Sequence, residues 1–432
     1  MILEFKVKNY LSVKEEQALS FEATSDNTLE EHFIVKKGKK RLLKMAIVFG
    51  ANASGKTNIL KALDFLRKVI LNHPLVKTDT TNQMPFLLDD TSRNTPGVFN
   101  LSFFIDDTLY EYHLEINHLF ITNEKLSYYP GIKPAVIFNR THNDEKDIAL
   151  IDYGTTFKLK ASDKSLIQGN TIRNMSVLAA YSKLNIDFPE LDRVYKYFFN
   201  NIAEIVIPNT NLTNWTSDRI EESEETKNFV LDFLNNADFN ITGINVDYRE
   251  EPISDKVRND IINSPLPENQ KQSLLTQEKL KYKTLSFTHK AENNKEIEFP
   301  SEIESAGTNR FFGLGGVLQH ILLNNKLLLI DEIDSSLHPE LVIHFINTFL
   351  VNSKEAQLIC TTHDINILSE QDNLRKDVIW FTEKGDDGST ELFSMADFKH
   401  RKDLSFINAY KAGKFGAKPK LGSIYLKNLN NE

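Results

Sequence analysis

Apolar and polar residues alternate with period two at the start of the chain. ILEFKVKN and the stretch ending QALSFEA therefore read as a hairpin, expected to supply edge strands of the domain that follows. The unbroken apolar run MAIVF (45–49) then reads as a buried strand, and the period changes to 3.6 just beyond it. Ile59, Leu60, Leu63, Leu66 and Ile70 recur on one face of a helix that could lie on the sheet. Alternation returns near residue 98 in VFNLSFFIDDTLYEYHLEINHLFITNEKLSYY, with Asp106 and Asp107 at a turn, and predicts a mostly antiparallel β lobe. From roughly 168 to 240, SVLAAYSKL, LDRVYKYFFNNIAEIV and ETKNFVLDFLNN carry helical patterning without a heptad seam.

KYKTLSFTHK (281–290) resumes the strand pattern, and a helix follows from about 307 to 324. KLLLIDEID has the continuous apolar character of a central strand. After it come the helix PELVIHFINTFLV, the strand AQLICTTH and a terminal hairpin in DVIWFTEKGDDGSTELFSM. The pattern predicts an α/β domain split by an insertion. Residues 1–165 would hold its first part and the β lobe, 166–280 a mostly helical insertion, 281–397 its second part and 398–432 a basic tail.

Composition narrows the class. The chain has 432 residues, 41% hydrophobic, and a formal charge of −9, which disfavours a surface given over to DNA binding while allowing a local basic stripe. No stretch approaches the roughly 18 consecutive apolar residues of a membrane span, and the charged, alternating start is unlike a signal peptide, so a cytoplasmic location with no membrane partner is expected. The single cysteine, Cys360, excludes a disulfide framework and reads as a small core residue.

The chemistry starts at GANASGKT. Gly50, Ala51, Asn52, Ala53, Ser54, Gly55, Lys56 and Thr57, with Asn58 after them, lie where a strand hands over to a helix, the context required of a phosphate-binding loop. Backbone N–H groups would face phosphate oxygens, Lys56 would reach the terminal phosphates of ATP or GTP, and Thr57 would hold Mg²⁺. Asp331, at the end of an apolar strand, is the expected second Mg²⁺ contact. Its neighbour Glu332 could deprotonate an attacking water. His363 in TTHD could sense the terminal phosphate or place that water, or could be satisfied at a domain boundary.

These motifs resemble the nucleotide-binding heads of the ATP-binding cassette superfamily, specifically the soluble branch with SMC and Rad50 ATPases and the AAA15-type or OLD-like bacterial ATPases. The resemblance implies ATP with Mg²⁺ and an SMC-head-type P-loop fold. ESAGTNRFF would be the signature segment, with Ser305 and Gly307 contacting the terminal phosphate of ATP held by a second subunit, and Asp334 to His338 would face across that dimer. Gln83 in TNQMPF would match a glutamine that senses Mg²⁺, although its surroundings match weakly, and SAGT departs from the commoner SxGQ.

NAYKAGKFGAKPK (408–420) is similar to a tail of the AAA15-like proteins. Its lysines and aromatics could contact nucleic acid, dock a protein or remain solvated. The resemblance implies a homodimer or higher homo-oligomer that hydrolyses ATP and controls a separate effector, such as a nuclease or toxin, in bacterial anti-phage defence. OLD proteins carry a metal-dependent nuclease domain as well, but the residues after His363 hold no cluster of acidic metal ligands, so no intrinsic nuclease is expected. The alternative it leaves open is an SMC/Rad50-like maintenance ATPase that senses or clamps DNA.

Overall fold

The computed structural model describes residues 1–370, 372–398 and 405–418. Two compact units form. The first comprises Met1–Thr210, Ile321–Ser335 and the described residues from Val342 onward, and the second Asn211–His320 with Ser336–Leu341. Lys420 and much of the expected 398–432 tail lie outside the described residues.

The first unit is organised by two sheets. One has six strands in the order Ile202–Val206, Leu327–Ile330, Gln357–Thr362, Met45–Gly50, Ile379–Lys384 and Thr390–Ser394. All neighbours are parallel except the last pair, so the four central apolar runs are buried in an α/β sheet, and the terminal hairpin closes one edge. The other sheet is antiparallel, with seven strands in the order Ile148–Tyr153, Ala135–Asn143, Ile121–Tyr129, Thr108–Ile116, Gly97–Ile105, Ile2–Lys8 and Gln17–Ser20.

The helix Lys56–Leu71 contacts both sheets. It therefore buries more than one stripe: Ile59, Leu60, Leu63, Leu66 and Ile70 are buried as the spacing predicts, and Asp64 and Phe65 are buried as well. Phe65 packs on Tyr10 at 5.1 Å and on Phe99 at 5.2 Å, rings belonging to the antiparallel layer and the loop beside it. Packing along its length fixes where its N-terminus, and the GANASGKT segment before it, meet the central sheet.

Two expectations change. Ile2–Lys8 is an inner strand of the antiparallel sheet, paired with both Gln17–Ser20 and Gly97–Ile105, and of the two strands of the hairpin only Gln17–Ser20 lies at an edge. Ile2, Phe5 and Val7 are buried, and a strand at that depth needs partners for its backbone groups on both sides. Within LDRVYKYFFNNIAEIV the helix ends at Asn201, and Ile202–Val206 becomes a strand parallel to Leu327–Ile330. Residues 166–280 thus contribute helices to both units and also one strand of the central sheet.

In the second unit, helices Leu212–Glu222 and Glu224–Asn235 accompany a three-stranded antiparallel sheet of Ile241–Pro252, Lys279–Lys290 and Glu296–Pro300. Its core stacks Phe311 on Phe233 at 4.4 Å and on Phe239 at 5.2 Å, while Phe287 meets Phe312 edge-on.

A polar network is sealed inside the β lobe. Glu124 and Arg140 are both fully buried, with 4.0 Å between their charged groups. Tyr112 Oη donates to Glu124 at 2.8 Å, and the Val177 N–H donates to both carboxylate oxygens at 3.1 and 2.9 Å. Burial pushes the Glu124 carboxyl up from its ordinary range, against the pull of Arg140. We predict that Arg140→Met, which leaves this carboxylate buried without its cation, costs about 3–5 kcal/mol in denaturant unfolding. A folded-state carboxyl pKa above the unfolded value means stability is lost as pH rises through that range, so the deficit of this variant should be larger at neutral pH than at acid pH. A variant as stable as the parent at both would refute this role.

Candidate functional site

The GANASGKT segment, the candidate phosphate loop, runs from the last residue of the strand Met45–Gly50 to the first turn of the helix Lys56–Leu71. Its path depends on two glycines. A Cβ on Gly50 would come within 2.6 Å of Ser54 Oγ and closer still to Thr382 Oγ1. Gly55 has φ +102°, and a Cβ there would run into Thr390. The loop is fastened by hydroxyls from distant strands: Ser54 Oγ lies 2.6 Å from Thr382 Oγ1, and Thr390 Oγ1 donates to the Ser54 carbonyl at 3.0 Å. On the helix side, Asn58 Nδ2 donates to Ser12 Oγ at 2.6 Å, and Ser12 Oγ also touches Thr390 Oγ1 at 2.7 Å. The first amides of a helix have no acceptor within it, so a loop held in this way presents N–H groups suited to an anion.

Lys56 Nζ donates to the carbonyls of Gly50 at 2.9 Å and Ala51 at 3.0 Å, and lies 3.2 Å from His363 Nδ1. Burial holds its ammonium below the usual lysine pKa, while Asp331, Glu332 and Asp334 pull it the other way. The Thr57 hydroxyl lies 3.0 Å from both carboxylate oxygens of Asp331. Asp331 is only 5% exposed, and its Oδ1 also accepts from Thr361 Oγ1 at 2.7 Å. A hydroxyl and a carboxylate converging in this way make an oxygen donor set that fits a hard divalent cation such as Mg²⁺.

Glu332 has φ +50°, a conformation that costs a non-glycine residue about 1–3 kcal/mol. It is held there in part by its own N–H donating to Thr361 Oγ1 at 2.8 Å. Glu332 Oε1 stands 3.4 Å from His363 Nε2, so the imidazole lies between Lys56 and Glu332. The backbone N–H of His363 donates to Asp334 Oδ2 at 3.4 Å. A cavity of about 280 Å³ is lined by Asn52, Ala53, Gly55, Lys56, Thr57, Asn58, Glu332 and His363.

Apart from Gln83, the expected residues of the first unit thus converge on the phosphate loop. Gln83 is 2% exposed and spends its Nε2 on the Asn9 carbonyl at 3.0 Å, so its amide ties its own segment to the turn after Ile2–Lys8 and does not line the cavity. Ser305 and Gly307 belong to the second unit. There Ser305 Oγ accepts from the Thr308 N–H at 2.9 Å at the start of the helix Ala306–Asn324, and a Cβ on Gly307 would approach the Ser336 carbonyl to 2.9 Å. Ser12, Thr361, Thr382 and Thr390 were missed by the sequence reading. Thr361 was within reach, because it stands one strand over from Asp331 in the run that leads to His363.

A protein-family profile described as "AAA domain, putative AbiEii toxin, Type IV TA system" matches residues 45–369. No curated protein matches the chain. Among solved structures, similarity is found to an Smc head bound to the C-winged helix domain of ScpA, with 13% identity and a TM-score of 0.40 over 95% of this chain and 99% of that one. The SMC head domain from Thermotoga maritima gives 13% and 0.39 over 91% and 98%. An Smc head with an extended coiled coil, bound to the C-terminal domain of ScpA derived from Pyrococcus furiosus, gives 12% and 0.36 over 96% and 98%. No helix among the described residues is long and apolar enough to cross a membrane.

Thr361 supplies a test of this geometry. Thr361→Val removes the hydroxyl that serves both Asp331 and the Glu332 N–H, and should slow ATP turnover about tenfold or more, whereas Thr361→Ser should stay near the parent rate. Equal rates for Val and Ser would show that the hydroxyl does not organise the site.

Proposed function

The chain belongs to the AAA-domain family whose profile spans residues 45–369, and from that premise we propose that it is an ATPase that dimerises on ATP and controls a separate effector protein in bacterial anti-phage defence. The observation that carries the reading is the meeting of Lys56, Thr57, Asp331, Glu332 and His363 at one phosphate loop. The family description names a toxin and a toxin–antitoxin system, which supports a partner chain as the object of control.

The loop amides would bind the phosphates of ATP, and Lys56 would leave the Gly50 and Ala51 carbonyls for the terminal phosphate oxygens. A bound Mg²⁺, held by Thr57 and Asp331, would supply charge neutralisation at the phosphates. Glu332 would accept the proton of the attacking water, with His363 placed beside it to orient that water or the terminal phosphate. Ser305 and Gly307 would complete the site of a second copy, so that ATP joins two chains and its hydrolysis releases them. The β lobe and the second unit would pass that change to the effector.

Glu332→Gln keeps size and hydrogen bonding but cannot take the proton. It should bind ATP as the parent does and turn it over about 100-fold more slowly or worse, measured by phosphate release beside direct ATP binding. Parent-like turnover would remove Glu332 from the proposed role.

A further inference from the structure

A short link, residues 301–305, joins the strand Glu296–Pro300 to the helix Ala306–Asn324, and it reverses the usual order of burial. Ile303 is 68% exposed, while the side chain of the next residue, Glu304, is only 12% exposed. An apolar side chain turned to solvent and a carboxylate turned inward are both unfavourable, so a specific contact has to hold them. That contact is His289, whose Nε2 lies 2.7 Å from Glu304 Oε1. An ionised carboxylate can only accept, so the imidazole donates.

His289 is held in turn by the sheet of the second unit. It belongs to the strand Lys279–Lys290, which pairs with Glu296–Pro300, and Phe299 packs on its ring with 5.1 Å between centres. Within the link the backbone adds one long bond, from the Glu304 N–H to the Ser301 carbonyl at 3.3 Å. Asn309, one turn into the helix, braces the link as well, its Nδ2 donating to the Ser301 carbonyl at 2.8 Å and the Ser305 carbonyl at 3.3 Å. Side chains thus decide where Ser305, the residue after Glu304, starts the helix. Ser305 is exposed with its Oγ 2.8 Å from Thr308 Oγ1, and the amides of Ala306 and Gly307 beside it have no acceptor within the helix.

We propose that His289 and Glu304 are positioning residues for ATP turnover in a second copy of the chain. Their hydrogen-bonded pair sets the angle at which Ser305 and the first amides of the helix meet ATP held by that copy, and it turns Ile303 outward beside them, into the surface between copies. The inference rests on the reading of Ser305 and Gly307 as the segment that completes a second copy's site. Neither His289 nor Glu304 touches the nucleotide, and both act through Ser305. Their effect therefore falls on the other chain's phosphate loop, which a pair that merely stabilised its own unit would not reach.

Full-length variants test this through ATP binding in dilute solution and ATP turnover. Glu304→Ala and His289→Ala should each bind ATP within about threefold of the parent, yet turn it over about tenfold more slowly or worse. The double variant should be no slower than either, because both changes remove one contact. Glu304→Gln, whose Oε1 still accepts from His289, should stay near the parent rate. The deciding measurement mixes Glu304→Ala with Lys56→Ala. A mixed dimer joins the intact phosphate loop of the first chain to the intact Ser305 segment of the second, so turnover should rise about fivefold or more above either variant alone, which also shows that the Glu304→Ala chain is folded. No rise on mixing, parent-like turnover by Glu304→Ala, or Glu304→Gln as slow as the alanine variant overturns the proposal while leaving the ATPase reading in place. A parent that neither binds nor turns over ATP sinks that reading, and this inference with it.

Discussion

The carboxylate of Asp331 is the point on which the rest of the site depends. It ends a central strand, is almost wholly buried, and takes hydrogen bonds from Thr57 at the helix start and Thr361 on the neighbouring strand. A buried carboxylate is costly unless its partners are in place, so strand order, the position of the helix and the loop between them are constrained together. Thr361 extends the constraint by one residue, because the hydroxyl that serves Asp331 also receives the Glu332 N–H and helps to hold Glu332 in its left-handed conformation. The strain there is local, and the hydroxyl that maintains it reaches the Asp331 carboxylate as well.

That constraint needs a rigid frame, and the two sheets of the first unit supply it. The helix Lys56–Leu71 is buried along most of its length, with Phe65 locked against Tyr10 and Phe99. Gln357 ties the frame further: its Oε1 accepts from the Ile2 N–H, and its Nε2 donates to the carbonyls of Ile2 and Leu43. A loop anchored to such a helix can offer its amides to phosphate without first paying to order them.

The loop, the strand before it, the helix after it and the Asp331–Glu332 pair were legible in the sequence because each is a local signal, a change of period or a run of fixed residue types. The hydroxyls that fasten the loop were not, since Ser54 meets Thr382 and Thr390 only once the sheet has brought chain segments more than three hundred residues apart together. Ile202–Val206 was hidden for a different reason. Its apolar residues continue the spacing of the preceding helix, and only the free edge of Leu327–Ile330 decides that they extend. At Gln83 the sequence leaves the role open, because an amide needed by a buried carbonyl and one that faces a cation look the same in sequence.

The central claim is that ATP acts as the joint between two copies of this chain, and the solution mass of the full chain during titration with Mg²⁺ and ATP tests it most directly. The account predicts a shift to twice the mass of 49.6 kDa as ATP saturates, reversing as the nucleotide is consumed. A mass that does not change when ATP is bound to saturation would contradict it.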